Sequence, residues 1–189
     1  IPQGVDSTRD AQGFIMNKEK STSCLNLTNG SDNPIVDLGS TTTIAEDAAF
    51  SFGMWLKPDD LTANYIIGKN SSTDYFKIHA STAIATRIDD VYDTYTVTTM
   101  VAKEWMHLTI TRAAGNDGLV SVYIDGLING GATEDTEASD GAFDYRYIGG
   151  WKLADTFRGV IDGFLIYDSM LSAAEVLRNY NATKGNHRN

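Results

Sequence analysis

Two short stretches of this 189-residue chain combine aromatic and polar side chains in a way that could do chemistry. The first is Asp89-Asp90-Val91-Tyr92-Asp93, followed by Tyr95, and the second is Gly149-Gly150-Trp151. A sugar presents an apolar ring face edged by hydroxyls, so an exposed aromatic ring beside polar groups suits it. Asp89, Asp90, Tyr92 and Asp93 make one mixed cluster of this kind. Trp151 opens a loop, where an indole serves either as a sugar platform or as an anchor whose N–H bonds backbone.

Cleaving a glycosidic bond asks for more, namely an acid and a second carboxylate about 5–9.5 Å apart. Apart from Asp89–Asp93, the close acidic group is Glu134-Asp135-Thr136-Glu137. It lies in a Gly-, Ser- and Asp-rich stretch and reads as a solvated loop. His79, His107 and His187 are each able to act as a base. However, His107 falls mid-strand and His187 lies near a terminus expected to fray. No Gly-x-Ser-x-Gly elbow occurs, and nothing around Cys24 marks a nucleophile. Cys24 reads as a buried free thiol. No catalytic set emerges, and the expectation is a binding or structural module rather than an enzyme.

The bulk properties agree. A net charge of −10 argues against duplex nucleic acid, whose phosphates are met by Lys and Arg. No run reaches the roughly 18 apolar residues of a membrane span, and no signal peptide opens the chain. One cysteine excludes an internal disulfide and leaves the redox compartment open. Position 1 is Ile, so the chain reads as processed or as a fragment.

The elements that must position these residues are short strands. Residues 1–20 are polar and aperiodic and read as an arm or linker, with a domain over 21–185 and a tail over 186–189. Strands are expected at Cys24–Leu27, Ile35–Leu38, Phe50–Lys57, Tyr65–Lys69, Tyr75–His79, Ile84–Ile88, Tyr95–Thr99, Trp105–Thr111, Leu119–Ile124, Arg146–Gly149 and Val160–Tyr167. Phe50, Phe52, Met54 and Leu56 alternate with Ser51, Gly53, Trp55 and Lys57, so the first set faces a core. Met106, Leu108 and Ile110 do the same against His107 and Thr109. Asp125-Gly126 predicts a type I′ hairpin turn. Ser172 and Glu175 form an S-x-x-E capping box, with Leu171 and Val176 placed as a hydrophobic staple, so a short helix closes the domain toward Gly185. Many strands with one terminal helix predict an all-β antiparallel sandwich or jelly roll of two sheets.

Four segments, in this order and spacing, resemble the laminin-G-like branch of the concanavalin A-like lectin/glucanase superfamily. They are AFSFGMWLKPDD, EWMHLTITR, VSVYIDGLING, and YRYIGGW followed by FRGVIDGFLIYDSMLSAAEV. The resemblance covers residues 24–182 and implies a concanavalin A-like jelly roll in which Trp55 and Trp105 are packed. The chain departs from the family at Gly163, where a Glu or another polar residue is usual. It also lacks the Glu-x-Asp-x-x-Glu strand of the superfamily's glucanases. Calcium is a structural ion in many relatives, so the resemblance raises a cation site at Asp162, with Asp6 and Asp10 joining if the arm folds back. By strand alternation Asp162 falls on the face of Phe164 and Ile166, where an ionised carboxylate needs either a cation or backbone N–H donors. The ending LRNYNATKG resembles domains in structural proteins of tailed marine bacteriophages. That likeness implies a virion or extracellular location and a tail-fibre, spike or capsid-decoration module. Its partners would be other virion proteins or a host-surface glycan, and a fibre module would form a homotrimer. The alternative is a carbohydrate-binding module of a secreted bacterial protein.

Overall fold

A computed structural model describes residues 8–9, 15–16, 24–27, 35–62, 64–69, 71–115, 118–131, 141–152 and 155–187. Within the stretch expected as an arm, β1 (Thr8–Arg9) pairs with β2 (Ile15–Met16). One six-stranded sheet is built from β3 (Leu25–Asn26), β5 (Phe50–Pro58), β10 (Met106–Arg112), β11 (Val120–Ile124), β12 (Leu127–Gly131) and β16 (Gly159–Tyr167). Its order is β12-β11-β10-β5-β16-β3. The other is built from β4 (Val36–Ile44), β6 (Asn64–Gly68), β7 (Tyr75–Ala80), β8 (Ala83–Ile88), β9 (Val91–Thr96) and β13 (Phe143–Ile148), in the order β4-β13-β6-β7-β8-β9. A short ladder joins β14 (Gly150–Lys152) to β15 (Asp155–Thr156), and α1 (Ala173–Thr183) closes the domain. The fold is the expected all-β jelly-roll sandwich with a short C-terminal helix.

Alternation along the strands produces the two layers. Phe50, Phe52, Met54 and Leu56 of β5 and Met106, Leu108 and Ile110 of β10 all face the core, as their spacing predicts. They meet Phe76, Ile78, Ile84 and Phe143 of the second sheet. Phe76 stacks on Phe143 at 4.5 Å, and Phe52 meets both rings edge-on, at 5.6 and 5.8 Å. Offset and edge-to-face pairs of this kind stabilise beyond the area they bury. The Asp125-Gly126 turn has φ of 55° and 79°, as a type I′ hairpin requires. The strand expected at Tyr95–Thr99 begins earlier, at Val91, because Asp89-Asp90 forms a second turn of the same kind, with φ of 44° and 75°. Asp tolerates the left-handed region better than most side chains. Cys24 is exposed, not buried. It immediately precedes the two-residue strand β3, where the adjacent Leu25 supplies the contact with the core.

Asp162 does not lie on the face of Phe164 and Ile166. A bulge breaks the ladder to β5 between Asp162, opposite Trp55, and Leu165, opposite Gly53. Gly163 sits at its centre with φ of +59°, a conformation that favours glycine, which accounts for the departure from the family's polar residue. The extra residue resets the alternation. Ile161, Phe164 and Ile166 therefore pack on the core, while Asp162 points to the outer face of the first sheet.

That outer face is covered by the C-terminal segment. Ser172 and Glu175 form the capping box, and Leu171 and Val176 are buried together with Tyr123. The Ser51 hydroxyl donates to the Ser169 carbonyl (2.8 Å) and accepts from the Leu171 N–H (2.9 Å), tying the turn before the helix to β5. Trp55 Nε1 donates to Thr183 Oγ1 (2.9 Å). His187, expected to fray, stacks on Trp55 with ring centroids 4.3 Å apart and planes 8° apart. Its Nε2 lies 2.8 Å from Asp162 Oδ2 and its Nδ1 3.2 Å from the Thr183 carbonyl.

His107 lies beneath this cover, 6 % exposed, with Trp55 and Tyr180 against its ring. Burial, and secondarily the nearby His187, push its pKa down from 6.5 to about 4. Below 6.5 the unfolded chain binds a proton that the folded His107 refuses, so its contribution to stability is full above that value and lost as pH falls toward 4. Moving from about pH 7 to about pH 5 should cost about 2 kcal/mol through this group. Urea unfolding at both pH values should show a correspondingly shallower loss for His107→Gln. Equal losses in the two proteins would refute the assignment.

Candidate functional site

No described helix lies over the outer face of the second sheet. On β7, Phe76 and Ile78 point inward, so Tyr75, Lys77 and His79 point outward. Lys77 stands opposite Tyr65 of β6 on one side and Ala85 of β8 on the other, and Tyr75 stands opposite Arg87. Arg87 in turn faces Tyr92 of β9. The register therefore assembles three tyrosines around one ammonium. Lys77 Nζ lies 5.1, 5.2 and 5.7 Å from the ring centroids of Tyr65, Tyr75 and Tyr92, within cation–π range. Tyr65 and Tyr75 meet edge-on at 5.0 Å, and Trp151 packs on them at 5.7 and 6.1 Å. His79 Nδ1 is 3.5 Å from the Tyr92 hydroxyl. Burial raises the Tyr75 phenol above its ordinary pKa, against the hydrogen bond with Arg87, so it stands as a neutral hydroxyl.

Two of the residues singled out in the sequence belong to this strip, in different roles. Tyr92 is its exposed end, at 44 %. Trp151 is buried at 9 % and packs against the Tyr65 and Tyr75 rings, so it is an anchor and not an exposed platform. Its close approach needs Gly68, where an added Cβ would stand 2.6 Å from Trp151 Cβ and 2.7 Å from the Asp74 carbonyl. The aspartates do not converge with Tyr92. Asp89 and Asp90 occupy the β8–β9 turn, where Asp90 pairs with Arg87. Asp93 falls on the opposite side of β9, paired in register with the buried Thr86. The sequence does not mark Tyr65, Tyr75, Lys77 and Arg87 as site residues, and it marks His79 only as a candidate base. Their only signal is the alternation in Tyr75-Phe76-Lys77-Ile78-His79, which marks an outward row but not its neighbours on other strands.

An ionic cluster at the sheet's end holds the turn in place. Asp74, fully buried, lies 2.7 Å from Lys69 Nζ and accepts from the Thr73 hydroxyl (2.7 Å) and the Asp89 N–H (3.0 Å). Lys69 also reaches Asp144 at 2.9 Å. Burial disfavours the Lys69 charge, but its bonds to Asp74 and Asp144 outweigh that and raise its pKa. The converse holds for Asp144, where burial is outweighed by Thr43 and Lys69 and the carboxyl is lowered.

Among the described residues Asp162 is joined by no other calcium ligand. Calcium takes six to eight oxygen ligands, whereas this carboxylate meets an imidazole and its neighbour's N–H. Among the described residues no group of three or more His, Cys, Asp or Glu side chains could hold a metal ion. Asp6, Asp10 and the acidic run Glu134–Asp140 lie outside the described residues. Of the described helices, none is long and apolar enough to cross a membrane.

A family model described as the concanavalin A-like lectin/glucanases superfamily matches residues 29–177. The chain belongs to this superfamily. No curated protein sequence matches it. Among solved structures, this superfamily member is similar to a native heptameric SAP-like pentraxin from Limulus polyphemus, at 15% identity and a TM-score of 0.63, covering 82% of this chain and 78% of the other. It is also similar to domain 4 of AbnA, an extracellular GH43 arabinanase from Geobacillus stearothermophilus, solved with arabinotriose. There the identity is 21% and the TM-score 0.56, over 71% and 67% of the two chains. A third likeness is to the CBM40 of the Ruminococcus gnavus IT-sialidase bound to α2,3-sialyllactose, at 13% identity and a TM-score of 0.52, over 70% and 83%. At such identities the likeness is one of fold.

Replacing Lys69 by Met should leave Asp74 buried without its cation and destabilise the domain by about 3–5 kcal/mol, as removing one partner of a buried pair does. Chemical denaturation measures this, and a loss within error of zero would show that the cluster does not hold the turn.

Proposed function

We propose that this protein is a non-catalytic glycan-binding module whose ligand lies on the outer face of the second sheet. The observation that carries the reading is the aromatic strip itself. It runs from buried Trp151 through Tyr65 and Tyr75 to exposed Tyr92, with polar side chains along it. A pyranose laid on the Tyr92 ring would bury its apolar face, while the hydroxyls of Tyr92 and Tyr75 and the imidazole of His79 meet its hydroxyl rim. Two structures of like fold hold sugars, arabinotriose in one and sialyllactose in the other. Asp90, in the turn beside the strip, is engaged by Arg87, which supports binding without hydrolysis.

For the larger context we infer a structural protein of a bacteriophage particle, either a fibre or spike domain on host-surface glycans or a capsid decoration domain. The support is the resemblance of LRNYNATKG to such proteins. The second reading is a carbohydrate-binding module of a secreted bacterial protein, favoured by fold likeness to modules of an arabinanase and a sialidase. Light scattering separates them, since a fibre module should be a trimer and an enzyme-borne module a monomer.

On a glycan array, Tyr92→Ala should weaken the strongest binding by about tenfold, the loss of one stacking contact. Retention of full binding by this variant would remove the strip from the reading.

A further inference from the structure

We propose that the sugar taken by this face is an acidic one, its carboxylate seated on Lys77 Nζ while its ring lies on Tyr92. The inference rests on the glycan-binding reading above and adds the class of sugar. Lys77 stands where three tyrosine rings converge, half-buried, and they hold its ammonium without offering it an oxygen acceptor. Three other cations on or beside the second sheet are neutralised. Arg87 pairs with Asp90, Arg146 with Asp37, and Lys69 with Asp74 and Asp144. No carboxylate among the described residues lies within ion-pair distance of Lys77. A chain with 25 acidic and 15 basic residues has acidic side chains to spare, yet no hydrogen bond or ion pair to a described residue engages the N–H donors of this ammonium.

The geometry matches a sugar acid more closely than a free anion. Tyr92 provides an exposed ring, and the cation lies 5.7 Å from its centre, a span that an exocyclic carboxylate on a stacked pyranose bridges. His79, exposed beside Tyr92, supplies a further polar contact on the same side. A partly desolvated ammonium gains more from a carboxylate than a fully solvated one does, because the local dielectric is lower. The overall negative charge opposes indiscriminate anion binding, so an acidic ligand must be recognised at short range.

Calorimetric titration with trigalacturonate and 3′-sialyllactose, each against its neutral counterpart (galactotriose and lactose), tests the inference. The acidic ligands should bind at least about tenfold more tightly, the scale of one charge-assisted hydrogen bond. Lys77→Met, which retains the stem, should abolish that preference, and Lys77→Arg should retain it. Circular dichroism and thermal melting establish that each variant folds. A sulfated galactose oligosaccharide forms a further arm, and preference for it with the same Lys77 dependence would support the inference with sulfate as the anion. Equal binding of acidic and neutral sugars, both lost in Tyr92→Ala, would overturn the inference while sparing the glycan reading. An acidic preference that survives Lys77→Met would overturn it too. Binding of no sugar by the wild type would overturn both.

Discussion

Strand β5 has no face left for solvent, and much of the domain follows from that. Its inner side chains, from Phe50 to Leu56, form the middle of the core against Phe76 and Phe143. Its outer side chains include Trp55, only 1 % exposed, which a two-layer sandwich alone would leave in water. The C-terminal helix and His187 supply the missing cover. Trp55 is gripped there by a hydrogen bond from its indole and by a stacked imidazole. The bulge at Gly163 belongs to the same arrangement, since it turns Asp162 outward to hold the imidazole. A carboxylate aimed at the apolar layer would have been costly. The same carboxylate aimed outward closes the terminus onto the sheet.

The two sheets meet the problem of their outer faces differently. The first hides its face under a helix. Among the described residues the second covers its face with its own long side chains, tyrosines leaning around a lysine. Trp151, over Gly68, packs against the rings, and the Lys69–Asp74–Asp144 cluster ties down the hairpin turn at the edge. Preformed, partly apolar faces with a few placed polar groups are what small ligands bind. The open face is therefore where this member of the superfamily is best equipped to recognise something.

Several features were legible in the residues alone because they are local. The alternation in β5 and β10, the Ser172–Glu175 cap and the Asp125-Gly126 turn each depend on neighbours a few positions away. The candidate site was legible only at its ends. Tyr92 and Trp151 stand out as aromatic residues in polar surroundings, but whether either is exposed depends on what the fold brings alongside. Asp89 and Asp90 looked like ligands because acidic residues and turn residues share a composition. Only backbone dihedrals separate the two roles.

The chain by itself thus determined which residues point the same way along each strand and how its helix begins. Side-chain period and capping chemistry are properties of short segments. The tertiary structure alone decided which strands lie side by side, and with that the meeting of Tyr65, Tyr75 and Tyr92 around Lys77. It also decided the parity of Asp162, because one added residue in a bulge reverses every direction inferred from alternation. Pairing between strands is set by the summed burial of a whole sheet, a quantity that no local pattern contains.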